Sequence, residues 1–340
     1  MRKNVVLLLV AVLLSQFLVP FASHAFTVTG AVRHPLDLTG ADLAGFVATD
    51  ARLADFTRDK QYNGVFDYQG VPLQTLLRMA DIQKSGGGFN KNTDLAIVVR
   101  DRGGKAVVLS WGEVFYRNPS NVIVAFAAVP VMPHSAGGCA KCHAPEFYQP
   151  ALDKLKRKVG LPKLVLANDF YSDRSLEDLV SIEVVDLRRG FAKKPDPEPS
   201  ASKFTMIDSS GKSAEFADLS RFSHRQVDFK NIGDGRGFHG FRQFEGVSVR
   251  DLLAGLAAGQ EPDKAVLVTA TDGYQGLYSF GEIYLSPLGD RIIVSEQQKP
   301  ASKGSKSFSF VDPDDLAADR MIKNVCKIEI ISLQQRMKGK

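Results

Sequence analysis

The sequence predicts an α+β chain built by tandem duplication, with each copy a mixed domain of strand-rich layers and short helices. Two observations carry this. The chain has 340 residues, 44% of them hydrophobic and 24% charged, which suits globular cores and allows two domains of ordinary size. Its halves also repeat each other. Tyr68-Gln69-Gly70-Val71-Pro72-Leu73 leads into Leu76-Leu77, and Phe244-Glu245-Gly246-Val247-Ser248-Val249 leads into Leu252-Leu253. Trp111-Gly112-Glu113-Val114-Phe115 is answered by Phe280-Gly281-Glu282-Ile283-Tyr284, and Asp173-Arg174 by Asp319-Arg320. A repeat this long means two copies of a domain, not a solenoid of short units.

The elements follow in order. Residues 1–25 read as a signal peptide: Arg2 and Lys3 form a positive start, 5–19 are apolar, and Ser23-His24-Ala25 offers a cleavage site before Phe26. The apolar run is shorter than the roughly 20 residues a membrane span needs. A cleaved leader and a mature chain without a transmembrane segment are therefore expected, in the periplasm or otherwise outside the cytoplasm. The first domain, 26–190, opens on a strand over 26–32. A helix over 72–79 follows, with Pro72 where its absent N–H does no harm. A hairpin of 95–99 with 106–109 turns at Arg102-Gly103-Gly104, and a strand over 180–187 closes the copy. Prolines and charges over 191–203 make a stiff linker. The second domain, 204–335, repeats the plan: a strand at 204–207, a helix at 248–256, a hairpin of 265–270 with 276–280, and a closing strand at 325–333.

The copies differ most in length at one place. Phe115 to Asp173 spans 58 positions and Tyr284 to Asp319 spans 35, so the first copy carries 23 extra residues within about 117–160. A short basic helix is expected over 149–159 of this insertion. Extra material in one copy of a repeated scaffold points to an added site.

That material contains Cys139-Ala140-Lys141-Cys142-His143. Two thiols three positions apart, followed at once by an imidazole, form the attachment pattern of a c-type haem. Cys139 and Cys142 are the expected thioethers and His143 the proximal iron ligand. His134 is the candidate distal ligand and Met132 a weaker one, with His34, His224 and His239 elsewhere in the chain as further imidazoles. Histidine would lower the potential and methionine raise it. The same residues leave open a Cys139–Cys142 disulfide or thiol-exchange pair, and a zinc site completed by His134. Cys326, in an alternating apolar run, reads as a small core residue.

Net charge is +5, of which Arg2 and Lys3 contribute two, and no long basic run occurs, so nucleic acid is not an expected partner. The Gly233-Asp234-Gly235-Arg236-Gly237-Phe238-His239-Gly240 stretch lacks a strand-turn-helix context and is no dinucleotide fingerprint. It reads as a flexible loop, with an anion or pterin site as the alternative.

Several motifs together resemble the molybdopterin-binding domain of the sulfite oxidase family: Phe26-Thr27-Val28-Thr29-Gly30-Ala31-Val32 with His34-Pro35-Leu36, Gly70-Val71-Pro72-Leu73 with Leu76-Leu77, and the Arg174 to Val185 segment with Ile182-Glu183-Val184. The resemblance implies that family's fold in both copies and a redox setting in which molybdenum domains pair with haem proteins. It also implies a molybdenum-ligating cysteine shortly before the Gly-Val-Pro-Leu element. Neither 54–62 nor 226–239 contains one, so molybdopterin is not expected. The expected function is a periplasmic monohaem electron-transfer protein, an electron carrier or redox partner more than a stand-alone enzyme, with no catalytic residue assigned. Its partner would be a redox protein or a quinone-linked membrane complex. The alternatives are a molybdopterin-binding oxidoreductase using the haem for electron exit, and a non-redox ligand-binding or sensor module with the cysteines oxidised.

Overall fold

The computed structural model describes residues 25–84, 89–131, 144–187, 202–233, 237–254, 261–298 and 306–333. Two five-stranded sheets form its centre. The first has the order β2-β1-β9-β5-β6, from β1 (Phe26–Gly30), β2 (Leu36–Leu38), β5 (Leu95–Asp101), β6 (Ala106–Ser110) and β9 (Leu179–Asp186). The second has the corresponding order β11-β10-β19-β14-β15, from β10 (Phe204–Ile207), β11 (Ser213–Phe216), β14 (Lys264–Ala270), β15 (Gln275–Ser279) and β19 (Val325–Ser332). One pair in each is parallel, β1 with β9 and β10 with β19.

Each half adds an outer sheet. In the first half it is β3-β4-β7-β8, from β3 (Thr49–Phe56), β4 (Tyr62–Pro72), β7 (Val122–Pro130) and β8 (Lys163–Leu166). In the second it is β12-β13-β16-β17-β18, from β12 (His224–Gly233), β13 (Gly237–Ser248), β16 (Ile293–Gln298), β17 (Lys306–Val311) and β18 (Ile322–Lys323).

β5, β6 and β14 are buried on both faces along most of their length, which is why they read as nearly unbroken apolar runs. Side chains alternate across a strand. On β5, Leu95, Ile97 and Val99 turn toward their own outer sheet and meet Val71, Val124 and Leu164. Ala96 and Val98 turn the other way and meet Ala265, Leu267 and Leu277 of the second half. Backbone bonds also join the halves, among them Val108 N to Pro262 O (2.9 Å), Leu277 N to Thr93 O (2.7 Å), Phe170 N to Leu285 O (2.8 Å) and Leu316 N to Tyr116 O (2.9 Å).

The seam is locked by two crossed arginines. Arg174 is buried, pairs with Asp169 and Glu113 of its own half, and donates to Ser279 Oγ of the other (3.1 Å). Arg320 does the same in reverse, with Asp315, Glu282 and Ser110 Oγ (2.9 Å). Each guanidinium lies against a glycine of the opposite half. A Cβ on Gly281 would stand 1.9 Å from Arg174 Cζ, and one on Gly112 would stand 2.0 Å from Arg320 Cζ.

The helices are α1 (Gly40–Leu43), α2 (Leu73–Met79), α3 (Trp111–Phe115), α4 (Pro145–Leu155), α5 (Val249–Ala254) and α6 (Phe280–Tyr284). All but α4 are seven residues or shorter. The expected α+β class, a tandem of sulfite-oxidase-like mixed domains, is therefore corrected: the chain is mainly β, with four small sheets, and its helices other than α4 are one or two turns joining strand ends. Ser110 and Ser279 show the reason. Each side chain caps the next turn by accepting from Glu113 N or Glu282 N, which bends the chain directly after β6 or β15. An apolar spacing that suits a helix thus extends for only about one turn. No described helix is long and apolar enough to cross a membrane. The expected signal peptide lies almost wholly, and the expected linker mostly, outside the described residues.

Candidate functional site

The two outer sheets differ where the insertion joins. Gly70 of β4 lets β7 come close, because a Cβ there would stand 2.5 Å from Val124 O; Gly246 of β13 does the same for β16, at 2.4 Å from Val294 O. Beyond this shared point the strands part. β7 pairs with β8 only through Val122–Ala125, then stays with β4 as far as Pro130 opposite Phe66, and Val131 N donates to Val65 O (2.8 Å). β16 does the opposite. It pairs with β13 only at Ser295, Val294 and Ile293, and follows β17 to its end. The β16–β17 connection, 299–305, is 7 residues long, whereas the β7–β8 connection, 131–162, is 32.

The pentapeptide 139–143 lies on that long excursion. Cys139, Cys142, His143, His134 and Met132 are all outside the described residues. The chain is described again from Ala144, and α4 starts at Pro145, earlier than the helix expected over 149–159. Exposed apolar side chains stand on both flanks: Val129 is 63% exposed before the pentapeptide and Phe147 is 75% exposed after it.

The returning end is fastened by a buried charge cluster. Lys163, the first residue of β8, is fully buried, and its Nζ donates to Asp55 Oδ2 (2.8 Å), Tyr68 OH (3.0 Å) and Glu177 Oε1 (3.2 Å). Arg157 pairs with Glu177 and with Asp55. Gly160 N donates to Glu177 Oε2 (2.9 Å), and Ser172 Oγ donates to Asp55 Oδ1 (2.7 Å). Two cations thus face two carboxylates; Arg157 and Gly160 belong to the end of the excursion, and Lys163 opens the strand that follows it. Burial alone would raise the Asp55 carboxyl, but the charge and hydrogen bond of Lys163, then Ser172 and Arg157, hold it below the ordinary aspartate value. Burial opposes the Lys163 charge, and Asp55 and Tyr68 more than offset it, so the ammonium is held above its ordinary value. Burial, first of all, raises the Tyr68 phenol. Every member is ionised or hydrogen-bonded to an ionised partner. The cluster has the chemistry of a clamp, not of a nucleophile or base.

The second half has no such clamp. By strand register, Asn231 stands where Asp55 does, Phe244 where Tyr68 does, and Ser309 where Lys163 does. Beside Asn231 lies a cleft of about 380 Å³, lined also by Asp272, Tyr274, Asp319 and Lys323.

Sequence reasoning did not find the clamp. The available signal was a lysine opening the apolar run Leu164-Val165-Leu166, which is unusual for a buried strand. The other singled-out residues are dispersed. His34 lies between β1 and β2, while His224 and His239 are on the β12–β13 hairpin, so none belongs to the sheet that carries the excursion. The stretch expected to be a flexible loop or anion site is, in its described part, the end of that hairpin, with Gly233 paired to Gly237. Cys326 is half-buried, with Sγ donating to Thr269 O (3.4 Å).

No family model and no curated protein matches the sequence. Among solved structures, the sulfane dehydrogenase SoxCD from Paracoccus pantotrophus is similar at 13% identity and a TM-score of 0.32, over 86% of this chain and 64% of that one. The chain thus spans under two thirds of that neighbour's length.

Proposed function

We propose that the protein is an extracytoplasmic monohaem c-type electron carrier, with the porphyrin bonded through Cys139 and Cys142 and His143 as proximal iron ligand. The observation that carries this reading is the excursion between β7 and β8, which only one half possesses and which contains the attachment pentapeptide. A bound iron porphyrin supplies one-electron redox chemistry. The chain's part is to hold and shield it. The Lys163 clamp fixes the returning end of the excursion to the outer sheet. Exposed Val129 and Phe147, before and after the pentapeptide in the chain, offer apolar surface of the kind a porphyrin face requires. His134 is the distal ligand of choice and Met132 the alternative. The partner is a redox protein or a quinone-linked membrane complex.

Expression in a host competent in cytochrome c maturation tests the reading. Red protein whose haem survives acid–acetone extraction, and whose Cys139→Ala and Cys142→Ala double variant is colourless, is the expected result. Colourless wild-type protein from such a host overturns it.

A further inference from the structure

The strand that leaves β13 in the second half leaves an open edge behind it. In the first half, β7 covers the edge of β4 up to Val65. In the second half, β16 covers only Gly246, Val247 and Ser248 of β13, and among the described residues no strand pairs with 238–245 on that side. Glu245 O accepts from Ser295 Oγ (2.7 Å), which fixes the direction in which Glu245 turns its backbone groups. Alternation along the strand then turns the backbone N–H and C=O of Gln243 and Phe241 to the same open side. Phe241 stands at the position of Val65, whose carbonyl is bonded by Val131 in the first half.

Side chains mark the same edge. The hairpin register slips between Lys230 and Ile232, so that Phe241 faces Lys230 and Phe238 faces Ile232. This bulge, with Gly240 at φ +93°, brings two phenylalanines three positions apart onto one face. Their ring centroids are 5.1 Å apart, edge to face, yet Phe238 is 57% and Phe241 74% exposed. Lys230 is exposed on that face, opposite Phe241, and Arg242 is exposed on the other face, its guanidinium 4.9 Å from the Phe244 ring centroid.

We propose that the 238–245 edge of β13 is a docking site for an extended segment of a partner protein, apolar along its length and acidic at its C-terminal end. The segment would add as an antiparallel strand, as β7 adds to β4. β7 runs toward the hairpin tip, with Pro130 opposite Phe66, and Arg242 holds the position of Phe66. A strand laid in that direction brings its C-terminal end to Arg242 and Lys230, where carboxylates complement the charge. The backbone edge supplies affinity, and the Phe pair and the two cations supply selectivity. This inference does not depend on the haem.

The probe is a fluorescent peptide with the sequence of residues 122–131 followed by two aspartates, titrated with the full chain and read by anisotropy. Saturable binding is expected. It should weaken at least tenfold for Phe238→Ser with Phe241→Ser, and for Gln243→Pro, which removes one outward N–H and which an edge strand tolerates. A peptide ending in two lysines should bind more weakly. Circular dichroism and the unfolding midpoint show whether each variant keeps the wild-type fold. Absence of saturable binding, or binding that folded variants leave unchanged, overturns the proposal. So does a wild-type dimer in sedimentation equilibrium that these substitutions dissociate, because the occupant would then be a second copy.

Discussion

The two outer sheets begin alike and diverge after three residue pairs. Gly70 with Ala125 and Gly246 with Ser295 are equivalent close approaches. After them β7 keeps β4 as its partner, and β16 keeps β17. From this choice follow a long excursion rooted in a buried lysine on one side, and a short connection with an exposed strand edge on the other. The seam between the halves shows the opposite behaviour, since Arg174 with Gly281 and Arg320 with Gly112 repeat one arrangement twice. What the halves share holds the molecule together. What they do not share is where function has room.

The largest effect is expected at the shared seam. Arg174→Ala would leave Asp169 and Glu113 buried without their cation; Arg320→Ala would do so for Glu282 and would leave Asp315 only Arg117, at 3.5 Å. Breaking a buried pair by removing one partner costs about 3–5 kcal/mol. Urea unfolding should show similar losses for the two variants. A loss confined to one would break the equivalence of the halves.

Lys163→Met tests the difference between them. It leaves Asp55 beside Tyr68 with only Arg157 at 3.5 Å as its cation, and should cost about 3 kcal/mol. Ser309→Ala at the matching place in the second half should cost no more than about 1 kcal/mol. Hydrogen exchange in α4 should also rise in the lysine variant, and not in the serine one. Equal losses would mean that Lys163 serves the sheet alone and not the excursion.

Acid sharpens the same contrast. The Asp55 carboxyl lies below its ordinary value in the folded chain, so its contribution is complete at neutral pH and is lost as pH falls through the folded value. Asp55→Asn gives the first half the residue that the second already has. The stability gap between wild type and this variant should be wide at pH 7 and should close below about pH 4, measured as urea midpoints across pH. A gap that stays constant with pH would show that Asp55 acts through its shape and not its charge.

Much of this was legible as strands and little as architecture. The 95–99 and 106–109 hairpin is β5 with β6, and the closing runs are β9 and β19, because alternation and Gly-rich turns are local signals. The helices at 73–79 and 249–254 fall within the runs expected at 72–79 and 248–256; the class was misread because the outer-sheet strands β3, β4, β7, β8, β12, β13, β16 and β17 were not expected. The seam was hidden because Gly281 and Gly112 owe their identity to arginines of the opposite half, a contact that no local pattern reveals. The clamp was hidden for a related reason: Asp55, Lys163 and Glu177 meet only when β3 and β8 lie in one sheet. The pentapeptide 139–143 was the converse case, a wholly local pattern and therefore visible.

The smallest effect lies within the seam itself, and it tests how far the repeat is exact. Ser110 and Ser279 occupy matching caps, yet their hydroxyls are used differently. Ser110 Oγ accepts from Glu113 N and Arg320 and donates to Glu282 Oε2 (2.5 Å). Ser279 Oγ accepts from Glu282 N and Arg174. Losing a cap costs about 1 kcal/mol, and leaving a buried carboxylate oxygen without its donor adds a further 1 kcal/mol or so. Ser110→Ala should therefore destabilise the chain by about 2 kcal/mol and Ser279→Ala by about 1 kcal/mol, read as a shift in urea midpoint at unchanged slope. Equal shifts would mean that Glu282 finds another donor when Ser110 is removed, and that the two caps are interchangeable in energy as well as in position.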